Sequence, residues 1–133
     1  MSRTRMNKQR ILLVEDEPVI ARVCARILAA DGLCVDIARD GSAARTMVNR
    51  ARYDMCLSDI MMPGVSGIDF YEYLVEEQPM LAERVVFMTG DTLSPKTEKF
   101  LSEASRPYLP KPFTPAELRR MVFKILRQET VSV

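Results

Sequence analysis

The sequence predicts an α/β fold, a doubly wound five-stranded parallel sheet with five helices, and three features predict it. Five short apolar runs alternate with amphipathic stretches along the chain, the pattern of a parallel sheet whose crossovers are helices. The stretches Ile11–Val14 and Val85–Met88 are apolar at every position, as strands buried on both faces are. The length of 133 residues suits one domain and is short for two, so the five alternations belong to a single sheet.

Residues 10–15 (RILLVE) read as the first strand, and 33–38 (LCVDIA), 54–58 (DMCLS) and 84–89 (RVVFMT) follow it. The fifth strand, 107–110 (PYLP), carries two prolines, which an edge position tolerates because one side of an edge strand is unpaired. The flavodoxin-like order 2-1-3-4-5 suits this length and places the fifth strand at an edge. The first helix begins after Pro18, turns Ile20, Val23, Cys24, Ile27 and Leu28 to one face and stops at Asp31-Gly32. The second runs from Asp40 through Ala44, Met47 and Val48. The third carries Ile68, Tyr71, Leu74 and Val75 behind a Ser66-x-x-Asp69 capping box, with Tyr73 toward the surface. The fourth starts at Ser94-Pro95 and holds Phe100 and Leu101. The fifth has the clearest start signal, with Thr114 as cap, Pro115 in the first turn and Glu117 reaching back. Its buried face is Leu118, Met121, Val122, Ile125 and Leu126. Residues 9–128 form the domain, between a basic, flexible arm at 1–8 and a tail at 129–133.

Composition removes several classes of function. With 47% apolar and 28% charged residues, the chain is an ordinary globular domain and not a disordered one. Its longest apolar runs, such as Ile11-Leu12-Leu13-Val14, are too short for a membrane span or a signal-peptide core. The absence of histidine rules out a Ser-His-Asp triad, His-ligated zinc and imidazole acid–base chemistry. Cys24, Cys34 and Cys56 are odd in number and widely spaced in apolar stretches, which reads as buried thiols in a reducing, cytoplasmic compartment. Arg3, Arg5, Lys8 and Arg10 stand in the first ten residues with no acid, whereas the remainder has 15 bases against 18 acids. The arm has neither aromatic nor periodicity and reads as a terminus or linker stump. The folded body is not basic enough to recognise nucleic acid.

In a doubly wound sheet, ligands bind beyond the carboxyl ends of the strands, where strand order reverses. Those ends carry Glu15 and Asp16 on strand one, Asp59 on strand three, Thr89 on strand four and Lys111 after strand five. Crowded carboxylates repel one another unless a cation balances them. Magnesium fits, since it takes hard oxygen ligands and completes its shell with water and phosphate. Lys111 then supplies a positive charge, and Thr89 a hydroxyl, to a bound anion. The chemistry this implies is phosphoryl transfer onto a carboxylate. Asp59, alone at its strand end while Glu15 and Asp16 are paired for metal, is the candidate nucleophile.

These residues resemble those of a known family. ILLVEDEP at 11–18, LSDIMMPGVSG at 57–67, VVFMTG at 85–90 and LPKPF at 109–113 are similar, in order and each at a strand end, to the motifs of response-regulator receiver domains. Those domains are the phosphoacceptor modules of two-component signalling, and the resemblance covers residues 9 to 128. It implies phosphorylation of Asp59, with Mg2+ bound by Asp16, by Asp59, by Glu15 through water, and by the backbone carbonyl of Met61. It implies that Thr89 and Lys111 hold the phosphoryl group, that Lys111-Pro112 is cis, and that Tyr108 is a switch aromatic which turns inward as Thr89 moves. Glu15 stands where aspartate is commoner in the family, a variation expected to preserve a water-mediated role. Met61 and Met62 are expected to be partly exposed beside the site.

The same resemblance implies that the phosphoryl donor is a phosphohistidine on a sensor histidine kinase or a histidine phosphotransfer protein. Output would pass to a downstream protein through the face of the fourth helix, fifth strand and fifth helix, without nucleic-acid or membrane contact by this domain. The domain would catalyse only its own phosphorylation and dephosphorylation. A stand-alone receiver, a relay shuttle and the receiver of a hybrid sensor kinase are all compatible with the sequence. The run from Gly90 to Leu126 is similar to receivers at the carboxyl end of hybrid kinases. A phosphatase of the haloacid-dehalogenase type needs a second aspartate two residues after its nucleophile, and here that residue is Met61.

Overall fold

A computed structural model describes residues 8–62, 64, 66–90 and 94–128 of the chain. The tail at 129–133 and residues 1–7 of the arm lie outside the described residues. The strands are β1 (Arg10–Val14), β2 (Cys34–Ala38), β3 (Met55–Asp59), β4 (Val85–Thr89) and β5 (Tyr108–Pro110). All pairings are parallel, in the order β2-β1-β3-β4-β5. Every residue of β3 and β4 is buried, as central strands covered on both faces require. The helices are α1 (Pro18–Ala30), α2 (Gly41–Val48), α3 (Gly67–Glu77), α4 (Pro79–Ala82), α5 (Pro95–Ala104) and α6 (Pro115–Gln128).

The described residues thus contain six helices where the sequence predicted five. The addition is the single turn α4, and its cause is Pro79. A residue preceding proline is pushed out of the helical region, so Gln78 takes φ −143° and ψ 68° and ends α3. Proline, with its fixed φ, then opens a new turn. The helices predicted as fourth and fifth are therefore α5 and α6.

Alternate strand residues feed two cores. Ile11, Leu13, Met55, Leu57, Val86, Met88 and Leu109 pack under α1 and α6, and Leu12, Val14, Cys56, Val85 and Phe87 pack under α2 to α5. Two expected core positions face water instead. Val23 on α1 and Val75 on α3 are 51% and 47% exposed, because Ala21, Cys24 and Leu28 fill the first interface and Phe70 with Leu74 the second. Cys24 and Cys56 are buried and Cys34 half-buried, all three with free thiols. Met61 is exposed as expected, but Met62 is buried and joins the core under α3.

Local signals set the helix ends. Gly32, at φ 89°, donates its N–H to Ala29 O at 3.0 Å while Leu33 N–H reaches Leu28 O at 3.2 Å, a left-handed stop that satisfies the last carbonyls of α1. Asp40 caps α2 through Ala43 N–H at 2.8 Å. Both predicted capping boxes form, Ser66 with Asp69 and Thr114 with Glu117. Gly67 is required for another reason. A β-carbon there would overlap the carbonyl oxygen of Asp59 and sit 2.9 Å from Ile60 Cα, so only glycine lets α3 start this close to the end of β3. Gly67→Ala is expected to destabilise the fold by about 1–3 kcal/mol through forced backbone displacement, measured as a lower denaturant midpoint at unchanged slope.

In the middle of β2, Asp36 Oδ2 accepts hydrogen bonds from Tyr53 Oη at 2.7 Å and from Arg10 Nη2, at the start of β1, at 2.8 Å. The bond from Tyr53, then the Arg10 guanidinium, hold the Asp36 carboxyl below its ordinary range. Burial and Asp36 push the Tyr53 phenol up to about 12. A carboxyl depressed in the folded state stabilises the protein above its unfolded pKa, near 4, and loses that contribution as pH falls through the folded value. Asp36→Asn should therefore lower Tm at pH 7, with the gap to wild type closing below about pH 4; a gap independent of pH would contradict this.

Candidate functional site

Parallel pairing brings the carboxyl ends of all the strands to one edge of the sheet. Val14 lies beside Ser58, Asp59 beside Met88 and Thr89 beside Pro110. The ladder carries on into the loops: Glu15 N–H bonds Ala38 O at 3.0 Å, Ile60 N–H bonds Met88 O at 3.3 Å and Lys111 N–H bonds Thr89 O at 2.8 Å. Glu15, Ile60 and Lys111, each the first residue beyond its strand, are therefore tied by their backbone to a neighbouring strand.

Glu15, Asp59 and Thr89 are all buried. Lys111 Nζ donates to Glu15 Oε1 at 2.8 Å and to Asp59 Oδ2 at 3.2 Å. Glu15 Oε2 accepts the Glu17 N–H at 3.1 Å. Oxygens of Glu15, Asp16 and Asp59 all lie within 4.8 Å of one another, with Asp16 the most open to solvent of the three. Among the described residues the cluster thus holds three carboxyl groups for one ammonium, which bonds Glu15 and Asp59, and is short of positive charge.

The titration of the buried pair reflects this. Burial raises the pKa of Glu15, assisted by the charge of Asp59 and opposed by the hydrogen bonds from Lys111 and Glu17 N–H. For Lys111, burial favours the neutral amine, but the bond to Glu15 and the charges of Asp59 and Glu15 outweigh it, and its pKa rises. Nearby, burial and then the charge of Glu15 push the Cys24 thiol up to about 11, so it is a protonated packing group.

All five strand-end residues singled out from the sequence, Glu15, Asp16, Asp59, Thr89 and Lys111, stand at this edge. Glu15, Asp16, Asp59 and Lys111 make one cluster of charges, and Thr89 ends β4 one residue past Met88, the neighbour of Asp59. Met61 follows two residues after Asp59, with its side chain 55% exposed. Tyr108 opens β5 opposite Phe87 and is exposed. The Lys111-Pro112 bond is cis. Sequence reasoning missed Gly67 as part of the site. Its signal was a glycine directly after a capping serine, but its contact with the Asp59 backbone emerges only in three dimensions.

Comparison with known proteins places this geometry. A family model for the response regulator receiver domain matches residues 11–123. The DNA-binding response regulator MtrA of Mycolicibacterium smegmatis is 34% identical over 91% of the chain, which spans 52% of that protein. Transcription factor SKN7 of Saccharomyces cerevisiae is 30% identical over 88% of the chain and 18% of its own length. The chain spans about half the length of the first of these relatives. Among solved structures, a CheY-like receiver domain protein from Methanospirillum hungatei superposes with a TM-score of 0.87 at 23% identity, covering 96% of this chain and all of that one. The receiver domain of a signal transduction histidine kinase from Syntrophus aciditrophicus gives 0.80 at 27% identity, covering 90% of each. With the family matched along most of its length and the acidic cluster and its lysine at the strand ends, the chain belongs to the response regulator receiver domain family.

Proposed function

We propose that this domain accepts a phosphoryl group from a partner's phosphohistidine onto Asp59, in the presence of Mg2+, and so switches a protein-interaction surface. The observation that carries the reading is Asp59 itself, a buried carboxylate 3.2 Å from Lys111 Nζ at the edge where three carboxyl groups converge. In the transfer, an oxygen of Asp59 attacks phosphorus, the bond from phosphorus to the imidazole nitrogen breaks, and an acyl phosphate remains on Asp59. Lys111 meets the charge of the phosphoryl oxygens, and Thr89 offers its hydroxyl to one of them. The domain contributes positioning and charge balance, the main demands of phosphoryl transfer.

The donor set fits a hard divalent cation, since every group in it is an oxygen. Asp16, Asp59, the Met61 carbonyl and, through water, Glu15 would hold it. Bound Mg2+ supplies charge neutralisation to the phosphoryl oxygens. The donor would be a sensor histidine kinase or a histidine phosphotransfer protein, since this chain has no histidine. The output face is α5, β5 and α6, where exposed Tyr108 turns inward as Thr89 engages the phosphoryl group. Activity is confined to the domain's own phosphorylation and dephosphorylation. A cytoplasmic setting is proposed on the free thiols. No helix among the described residues is long and apolar enough to cross a membrane.

Intact mass after incubation with acetyl phosphate and Mg2+ tests the reading. Wild type should gain one phosphoryl group, and neither Asp59→Asn nor wild type without Mg2+ should gain any. Equal gain by Asp59→Asn would contradict it, as would no gain from either acetyl phosphate or a phosphohistidine donor.

A further inference from the structure

Three aromatic rings from three elements close a triangle on one face of the sheet. Phe87 of β4 meets Tyr71 of α3 edge-on at a centroid distance of 5.3 Å and Phe100 of α5 edge-on at 5.0 Å. Tyr71 and Phe100 meet edge-on at 5.9 Å, so all three contacts have a favourable aromatic geometry. Phe87 is fully buried, whereas Tyr71 and Phe100 are half-buried. A crossover helix lies over the strands it joins. With α3 between β3 and β4 and α5 between β4 and β5, Tyr71 covers the β3 side of Phe87 and Phe100 its β5 side. Tyr108 pairs with Phe87 across the β4–β5 ladder, so the two side chains leave the sheet on the same face. Its ring nevertheless stays outside the triangle, 41% exposed.

We propose that Phe100 and Tyr108 compete for one place against Phe87, and that inward rotation of Tyr108 turns the Phe100 ring out onto the surface of α5. Interiors packed to crystal density do not hold a second ring in the space of one, so the two arrangements exclude each other. The inference rests on the phosphoacceptor reading only for what drives the exchange, the engagement of Thr89 two residues beyond Phe87 on β4. It adds what the α5, β5 and α6 face presents in each state. Before phosphorylation that face shows a phenol and hides a phenyl ring; afterwards it shows the phenyl ring. A partner selective for the phosphorylated form would therefore offer an apolar pocket to a phenylalanine side chain.

The first arm of the test uses the full chain and no phosphoryl donor. Nitration by tetranitromethane, mapped by peptide mass, reads the exposure of Tyr108, with Tyr73 as internal reference. Phe100→Ala empties the place beside Phe87, and the void favours a ring that can fill it. Tyr108 should then nitrate at least about threefold more slowly than in wild type, with Tyr73 unchanged. Phe100→Leu, which keeps most of the volume, should stay near the wild-type rate. Cys56, fully buried, must remain unreactive to a thiol reagent, which reports that the fold is kept; where Phe100→Ala fails this control, Phe100→Val carries the comparison. The second arm is fluorine NMR of fluorophenylalanine-labelled chain, with the Phe100 resonance assigned by its absence from Phe100→Leu. In protein whose intact mass shows one added phosphoryl group, the solvent isotope shift of that resonance should rise at least about twofold. Equal Tyr108 nitration in Phe100→Ala and wild type would overturn the competition. An unchanged Phe100 resonance in phosphorylated protein would overturn the exchange. A chain that takes up no phosphoryl group contradicts the phosphoacceptor reading instead, and the nitration arm then decides the competition alone.

Discussion

The ammonium of Lys111, shared between Glu15 and Asp59, is the contact on which the rest of the site depends. It links the residue after the last strand to the ends of β1 and β3 and spans 96 residues of sequence to reach Glu15. Buried ions are costly unless paired and hydrogen-bonded. Here Glu15 has its lysine and a backbone N–H, which offset only part of the cost of its burial. The cluster as a whole is not balanced, because among the described residues it holds three carboxyl groups for one ammonium. That remaining negative charge is the basis on which a divalent ion, and then a phosphoryl group, are proposed to bind at this edge.

The fold creates this concentration of charge by geometry. In a parallel sheet every strand runs the same way, so each carboxyl end opens onto one edge. Five strands spread over the chain place their following residues side by side, and the hydrogen-bond ladder continues into those residues. The two apolar cores above and below the sheet stiffen the platform. Gly67 completes it by letting α3 begin against the backbone of Asp59, whose side chain faces the cluster.

Much of this was legible in the sequence because the signals are local. The apolar runs of β1, β3 and β4 can be satisfied only by burial on both faces, and the capping boxes at Ser66 and Thr114 announce their helices from four residues each. What was not legible depends on long-range packing. The turn α4 arises from the conflict between Gln78 and Pro79 within a stretch that could equally have been loop. Val23 and Val75 fit a helical periodicity, yet Ala21 and Phe70 are the residues buried in their place, and only the neighbouring helices decide that. The site residues could be named one by one from their strand ends, but the sharing of Lys111 between Glu15 and Asp59 is set by how the strand ends meet in space. No single motif encodes that meeting.

The most direct measurement of the central claim is to locate the phosphoryl group rather than only to detect it. Borohydride reduces an acyl phosphate of aspartate to homoserine, which tandem mass spectrometry reads at a single position. After treatment with acetyl phosphate and Mg2+, the account predicts homoserine at position 59, with Glu15 and Asp16 unchanged. Reduction at either of those acids, or at any other residue with Asp59 intact, would contradict it.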